Sequence, residues 1–291
     1  MQGEGNESAP ASGATPSRAR RERRDLPLGV FDSGLGGLTV VRAIRSRCPS
    51  EDILYLGDTA RVPYGTRSPD TIVRYALGCA RMLTSRGVKA IIVACNTVSA
   101  VALDALRVEL DLPVLGVILP GARAGVAAAR GGSIGVLGTA GTIASGAYPR
   151  AVASLSTRTE TLGQAAPLLV SLAEGGWLRG EVPRLVARRY LEPLIRAGSR
   201  AIVLGCTHFP LLHEVIELEA TALAGGPIPV VDSASATADE VARFLDERRL
   251  GTAREAPGAL ELYVTDLPKG FSDVAERFLR ERVERVTQID L

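Results

Sequence analysis

Lysine is almost missing from this chain. Lys89 and Lys269 are the only two among 34 basic residues, which leaves few candidates for a Schiff base to pyridoxal phosphate. Cysteine is also sparse: Cys48, Cys79, Cys95 and Cys206, none in a Cys-x-x-Cys pair. Only His208 and His213 could join them as imidazole ligands, so neither a structural zinc site nor a disulfide framework is expected, and in a reducing compartment the four are free thiols. Long apolar runs are absent. The longest, such as Ala90 to Cys95, are strand-sized and far short of the roughly 18 residues that cross a bilayer. The arginines Arg18, Arg20, Arg21, Arg23 and Arg24 are not followed by a signal-peptide core, because Gly29 and Asp32 interrupt at once. A cytoplasmic protein without membrane contact is the expectation. An excess of either charge is lacking too: 34 basic and 32 acidic residues leave +2, which gives no general footprint for nucleic acid. No G-x-x-x-x-G-K-[ST] phosphate loop occurs, since neither lysine has that setting.

What is present is ample apolar material. With 291 residues, 46% of them hydrophobic, the chain can build two cores at ~100–200 residues per domain, and disorder is excluded for its bulk. Residues 1–25, rich in Ser, Ala, Gly, Pro and Arg without a hydrophobic period, are expected to be a disordered tail. From Leu26 onward, strand-sized runs alternate with amphipathic helical stretches. Strands are predicted at Leu28–Phe31, Ile53–Leu56, Ala90–Ala94, Val114–Val117, Ile134–Leu137, Ala201–Leu204, Pro229–Val231 and Leu262–Val264. Helices are predicted at Leu38–Arg47, Pro69–Ser85, Ser99–Leu110, Val182–Ala197 and Ala236–Arg248. Such alternation predicts an α/β fold with doubly wound parallel sheets, whose ligands sit at the carboxyl ends of strands.

A weak internal repeat sharpens this reading. Gly29-Val30-Phe31-Asp32-Ser33 resembles Gly135-Val136-Leu137-Gly138-Thr139. The run from Gly87 to Thr97 likewise resembles the run from Gly198 to His208, with Cys95 and Cys206 at the same offset from the leading glycine. Two similar doubly wound domains would each place a cysteine at the ligand-facing end of a strand. If the domains face each other, the cleft between them has a thiol on each wall.

Opposed thiols suit the inversion of a stereocentre beside a carboxylate: one base removes a proton from one face, and an acid returns one to the other. Cys48 and Cys79 lie in helical patterns and read as small core residues. Thiols need help to ionise. Asp32 at the end of the first strand and His208, two residues after Cys206, are placed to give it. Ser33, Thr59, Asn96, Thr97, Thr139, Thr142 and Thr207 gather at the same strand ends and could bind a small anion. Gly34-Leu35-Gly36-Gly37 would let backbone approach a carboxylate. As a dinucleotide fingerprint it fails, because its third small residue is missing and Asp32 would repel a pyrophosphate.

The blocks Asp32-Ser33-Gly34-Leu35-Gly36-Gly37, Gly57-Asp58-Thr59-Ala60-Arg61, Pro63-Tyr64-Gly65, Ala94-Cys95-Asn96-Thr97 and Gly205-Cys206-Thr207-His208-Phe209-Pro210 resemble the signatures of bacterial glutamate racemases, in the order of that family. The resemblance implies interconversion of L- and D-glutamate by a two-base proton transfer without cofactor or metal, supplying D-glutamate for peptidoglycan and so for cell-wall biogenesis and cell shape. It implies that Cys95 takes the proton from D-glutamate and Cys206 from L-glutamate, with Asp32 and His208 assisting. It assigns substrate binding to Asp32, Ser33, Tyr64, Gly65, Asn96, Thr97, Thr207 and His208, with Thr139 and Thr142 as additions. Glu174 matches a further family carboxylate. Val62 and Ala166 depart from the family, which often carries cysteine at both places. A homodimer is implied, with a first domain of residues 26–119 plus 228–291 and a second of 120–227. Rival readings are an aspartate racemase or another member of the superfamily, a nucleotide-dependent oxidoreductase, and a racemase with an added role in modulating DNA gyrase.

Overall fold

The run Leu28-Gly29-Val30-Phe31 has no polar break because both of its faces are covered. In the computed structural model, which describes residues 23–291, Leu28 and Val30 enter one apolar cluster and Phe31 enters another. This is the period of two of an extended chain, and a strand buried on both sides reads as one hydrophobic run. The strand is β1 (Leu28–Asp32), followed by α1 (Leu38–Arg47), β2 (Ile53–Gly57), α2 (Pro69–Ser85), β3 (Ala90–Val93), α3 (Asn96–Val101), α4 (Leu103–Glu109) and β4 (Val114–Gly116). Two short 3-10 turns, Thr59–Arg61 and Tyr64–Thr66, fill the loop after β2. Then come α5 (Ile118–Ala129), β5 (Ser133–Gly138), α6 (Ala140–Ala144), α7 (Ala147–Leu155), β6 (Thr161–Ala165), α8 (Pro167–Glu174) and α9 (Glu181–Arg196). β7 (Ser199–Gly205), α10 (His213–Ala224) and β8 (Val230–Asp232) complete the middle of the chain. It finishes with α11 (Ser233–Glu247), β9 (Leu260–Val264), α12 (Phe271–Leu279) and β10 (Val286–Gln288).

The strands form two sheets, ordered β10-β9-β2-β1-β3-β4 and β6-β5-β7-β8, and the strand pairs among the described residues are parallel. The segments β2-β1-β3-β4 and β6-β5-β7-β8 share one order, with the repeated sequences on β1 and β5 and on β3 and β7. In each sheet the order reverses direction between the two repeated strands. Crevices for ligands open beyond the carboxyl ends at such switch points. Asp32 and Cys95 stand at one of them, Thr139 and Cys206 at the other.

Three apolar clusters hold the layers. The largest takes Leu28, Val30 and Ile92 from the first sheet, Leu137, Ile202 and Leu204 from the second, and Leu38, Ile44 and Val241 from α1 and α11. Ile92 is fully buried, so its truncation to Ala would cost about 2–5 kcal/mol. Helix α11 packs on both α1 and α5 and so joins the two domains.

Some expectations are corrected. The single helix predicted over Ser99–Leu110 begins at Asn96 and breaks at Ala102 into α3 and α4. The strand near Pro229 is hydrogen-bonded into the second sheet, Val230 opposite Ile202, so the chain leaves that sheet after Asp232 and not near Pro227. There the Asp232 carboxylate accepts a hydrogen bond of 2.8 Å from Ala234 N and starts α11. The expected tail, residues 1–25, falls outside the described residues as far as residue 22. Arg24 belongs to the folded body: its Nε donates to the Gly251 carbonyl at 2.7 Å, and its own carbonyl accepts from Lys89 Nζ. Among the described residues no helix is long and apolar enough to cross a membrane.

Candidate active site

The carboxyl ends of the two sheets face each other across a cavity of about 380 Å³. The first domain lines it with Ser33, Gly34, Cys95, Asn96, Thr97 and the loop Val62 to Thr66. The second lines it with Thr139, Ala140, Cys206, Thr207, His208 and one face of α8 through Pro167, Val170, Ser171 and Glu174. Each wall therefore carries one thiol, at the end of a strand buried on both faces.

The two thiols have different neighbours. Cys95 is the residue that opens α3, and its Sγ donates to Ser33 Oγ at 3.4 Å. Burial pushes this thiol up to about 12, and the nearby Asp32 carboxylate adds to the effect. Cys95 is thus a protonated sulfur at neutral pH. Asp32 is itself buried behind the cavity wall, where burial raises its carboxyl group above the usual range, partly opposed by His208 and by the backbone N–H groups of Gly37, Gly34 and Ser33. Gly34 N donates to Asp32 Oδ2 at 3.0 Å.

Cys206 Sγ lies 3.8 Å from His208 Nδ1. The other ring nitrogen, Nε2, sits 3.0 Å from Glu174 Oε1 at the end of α8. Phe278 of α12 meets the ring edge-on at 5.2 Å. Burial works against charge on this imidazole, but the hydrogen bonds to Cys206 and Glu174 prevail and lift it to about 10. Hydrogen bonding to His208 holds the Glu174 carboxyl below its ordinary range, against partial burial. His208 is therefore an imidazolium at neutral pH, in contact with the sulfur of one wall.

The cavity that holds the thiols also has polar lining. Thr97 Oγ1 and Thr139 Oγ1 meet across the domain boundary at 2.8 Å, and Thr142 Oγ1 closes a triangle at 3.2 and 3.0 Å. Thr142 is buried behind the other two and is not itself in the lining. Thr207 Oγ1 reaches Asp32 Oδ1 at 3.5 Å, while its carbonyl accepts from Thr39 Oγ1 at 2.8 Å. Asn96 Oδ1 accepts from Tyr148 OH at 2.8 Å, and its Nδ2 is buried without a partner among the described residues.

The structure gives several neighbours more particular places. Tyr64 lines the cavity, but its hydroxyl is taken by the buried Asp58 carboxylate, so its own contribution to the cavity is ring and backbone. Asp58 also accepts from Arg61 Nε and Thr265 Oγ1. Thr59 is turned away and donates to the Asp266 carbonyl. In the Gly34–Gly37 loop only Gly34 touches the cavity. Gly36 serves domain contact instead, because a Cβ there would sit 2.3 Å from Thr207 Oγ1 and 2.5 Å from His208 Nδ1. Tyr148 and the α8 residues Pro167, Val170 and Ser171 carry no signal in a single sequence; only their place in the fold brings them here. Among the described residues, no group of three or more His, Cys, Asp and Glu side chains is arranged to hold a metal ion.

Residues 37–241 match the family model of Asp/Glu/hydantoin racemases. Over 264 residues the chain is 47% identical to the glutamate racemase of Geobacter metallireducens, covering 91% of this chain and 96% of the relative. Its fold matches glutamate racemase from Thermus thermophilus in complex with β-chloro-D-alanine, with TM-score 0.82, 44% identity, and 92% and 98% of the two chains covered. It also matches glutamate racemase from Francisella tularensis in complex with D-glutamate, with TM-score 0.84, 35% identity, and 92% and 98% covered.

Proposed function

The chain belongs to the glutamate racemases of the Asp/Glu/hydantoin racemase family, and from that premise we propose a two-thiol proton transfer at the α-carbon of glutamate. The observation that carries the mechanism is the placing of one thiol on each wall of the cleft, Cys95 beside Ser33 Oγ at 3.4 Å and Cys206 beside His208 Nδ1 at 3.8 Å. With L-glutamate bound, Cys206 as thiolate removes the α-proton. The electron pair left behind delocalises into the adjacent carboxylate, and the Cys95 S–H delivers its proton to the opposite face. Cys95 becomes the thiolate and Cys206 the thiol, so the enzyme is poised for D-glutamate. Asp32 assists at Cys95 by favouring the protonated form from which that sulfur donates, and His208 assists at Cys206 with an imidazolium 3.8 Å from the sulfur.

Ser33, Asn96, Thr97, Thr139 and Thr207 supply hydroxyl and amide groups around this axis and bind the polar ends of the substrate, with Gly65 backbone at the rim and Thr142 supporting the hydroxyl triangle. Tyr64 shapes the wall and is kept from direct hydrogen bonding by Asp58. The reaction as proposed needs neither metal nor organic cofactor, and activity should survive exhaustive chelation. The product serves peptidoglycan synthesis in the cytoplasm, and the working form is a homodimer whose protomers are each divided into residues 26–119 plus 233–291 and residues 120–232.

Circular dichroism of L-glutamate incubated with purified protein tests the reading. The signal should decay to zero, and in deuterated water the D-glutamate formed should carry deuterium at the α-carbon. Persistent optical activity with glutamate, but decay with aspartate, would transfer the assignment to aspartate.

A further inference from the structure

We propose that Tyr148 is a positioning residue for the reaction: it fixes the orientation of the Asn96 amide across the domain boundary and braces the two thiol-bearing strand ends against each other. The inference rests on the glutamate reading of the cleft. Tyr148 lies on α7 of the second domain and is 2% exposed. Its hydroxyl donates to Asn96 Oδ1 at 2.8 Å, and Asn96 directly follows Cys95 in the first domain. Its ring lies against Gly205, which directly precedes Cys206; a Cβ at that glycine would stand 3.0 Å from Tyr148 Cε2. One side chain thus touches the immediate neighbours of both sulfurs.

The clearance for it is made by glycine on two elements. Besides Gly205, a Cβ at Gly121 of α5 would stand 3.2 Å from the Tyr148 hydroxyl. Burial holds the phenol well above its ordinary value, with Cys206 adding to the effect, so at neutral pH it keeps its proton. In that hydrogen bond the phenol is the donor, and the carbonyl side of the amide is the side that accepts. The amide is therefore turned with Oδ1 toward Tyr148, and Nδ2 is the group left without a partner among the described residues. Such a buried donor is costly until something accepts from it. Asn96 lines the cavity, and a substrate oxygen brought to its amide is the acceptor the arrangement lacks.

The test is steady-state kinetics in both directions on Tyr148→Phe, which keeps the ring and its packing. KM for L- and D-glutamate should rise by roughly three- to tenfold, the range of one neutral hydrogen bond, with kcat within about twofold. In an Asn96→Ala background the same change should add nothing, because the group that Tyr148 positions is already gone. Gly121→Ala, which crowds the hydroxyl from another element, should raise KM in the parent and again add nothing with Asn96→Ala. It keeps the question open to measurement should Tyr148→Phe fold poorly. An unchanged KM in Tyr148→Phe, a loss confined to kcat, or the same fold-change in both backgrounds would overturn the proposal, leaving Tyr148 as packing alone. The parent enzyme run alongside separates the two levels: if it does not racemise glutamate, the reading of the cleft fails and this inference falls with it.

Discussion

His208 Nε2 lies 3.0 Å from Glu174 Oε1, on the side of the ring facing away from Cys206. The carboxylate comes from the end of α8 and the imidazole from the loop after β7, so two separate segments of the second domain must dock for the pair to form. The pair explains how a buried ring keeps its proton. Its ordinary value of 6.5 is raised to about 10, so protonation of His208 favours the folded state. That contribution is fully present below pH 6.5 and is lost as pH rises through about 10. The stability gap between the parent and His208→Gln should therefore narrow across this window, as read by urea denaturation at a series of pH values. In Glu174→Gln, an NMR titration should find His208 releasing its proton at lower pH than in the parent. The His208 signal is assigned by its persistence in His213→Gln. An unmoved His208 would show that Glu174 does not govern its charge.

The contrast between the thiols yields a second prediction. Cys95→Ala and Cys206→Ala should each lose racemisation by about 10²–10⁴-fold or more, since a proton must leave one face and arrive on the other. A β-substituted glutamate able to expel its leaving group needs only the removal step. Cys95→Ala should retain elimination from the L-analogue and Cys206→Ala from the D-analogue. Reversed preferences would exchange the faces assigned to the two sulfurs. Full racemisation by either variant would end the two-thiol mechanism.

The sites of these residues were legible to different degrees. Buried parallel strands announce themselves as apolar runs, so β1, β3, β5 and β7 and the cysteines that follow two of them could be read directly. The strands β6 and β10 could not: both lie at sheet edges and are half exposed, and Thr161–Ala165 carries Gly163 and Gln164 where a buried strand would carry β-branched residues. The pattern of the glycine loop predicts a ligand cradle, whereas Gly36 makes room for Thr207 and His208 of the other domain. Contacts across a domain boundary leave no periodicity in either partner. For the same reason the bond from Tyr148 to Asn96, separated by 52 positions, had no local signature.

Lys89 illustrates a residue whose importance is structural. It immediately precedes β3, at the end opposite Cys95, and is fully buried beside Glu51. Its Nζ also donates to the carbonyls of Arg24 and Leu250, at 2.7 and 3.1 Å. Glu51 Oε1 in turn accepts from Thr252 N at 2.8 Å. Removing one member strands the other's charge, so Lys89→Met should cost about 3–5 kcal/mol in urea denaturation. The folded fraction should keep kcat/KM within about twofold, because the strand ends to which the chemistry is assigned in the proposed mechanism are untouched. A stable Lys89→Met protein would show the pair to be dispensable.

Asp58 governs the opposite end of the same sheet. It follows β2, is completely buried, and gathers Tyr64, Arg61 and Thr265 onto one carboxylate. Arg61 also stacks over Tyr75 at 4.4 Å, while the Tyr64 and Tyr75 rings lie 5.5 Å apart. The loop so anchored presents Gly65 to Thr139 of the second domain, where a Cβ at the glycine would stand 3.1 Å from the threonine Cβ. Tyr64→Phe leaves the carboxylate short of one donor, which should lower stability by about 1–3 kcal/mol. Because the same loop forms the cavity rim, KM for both enantiomers should rise, while kcat, which the proposed mechanism assigns to the two sulfurs, should change much less. Asp58→Asn should act through the same contact, so the double variant should be less impaired than the product of the single effects. If the two substitutions multiplied independently, Asp58 would be acting through Arg61 and Thr265, and the hydroxyl of Tyr64 would carry no part of the loop's anchorage.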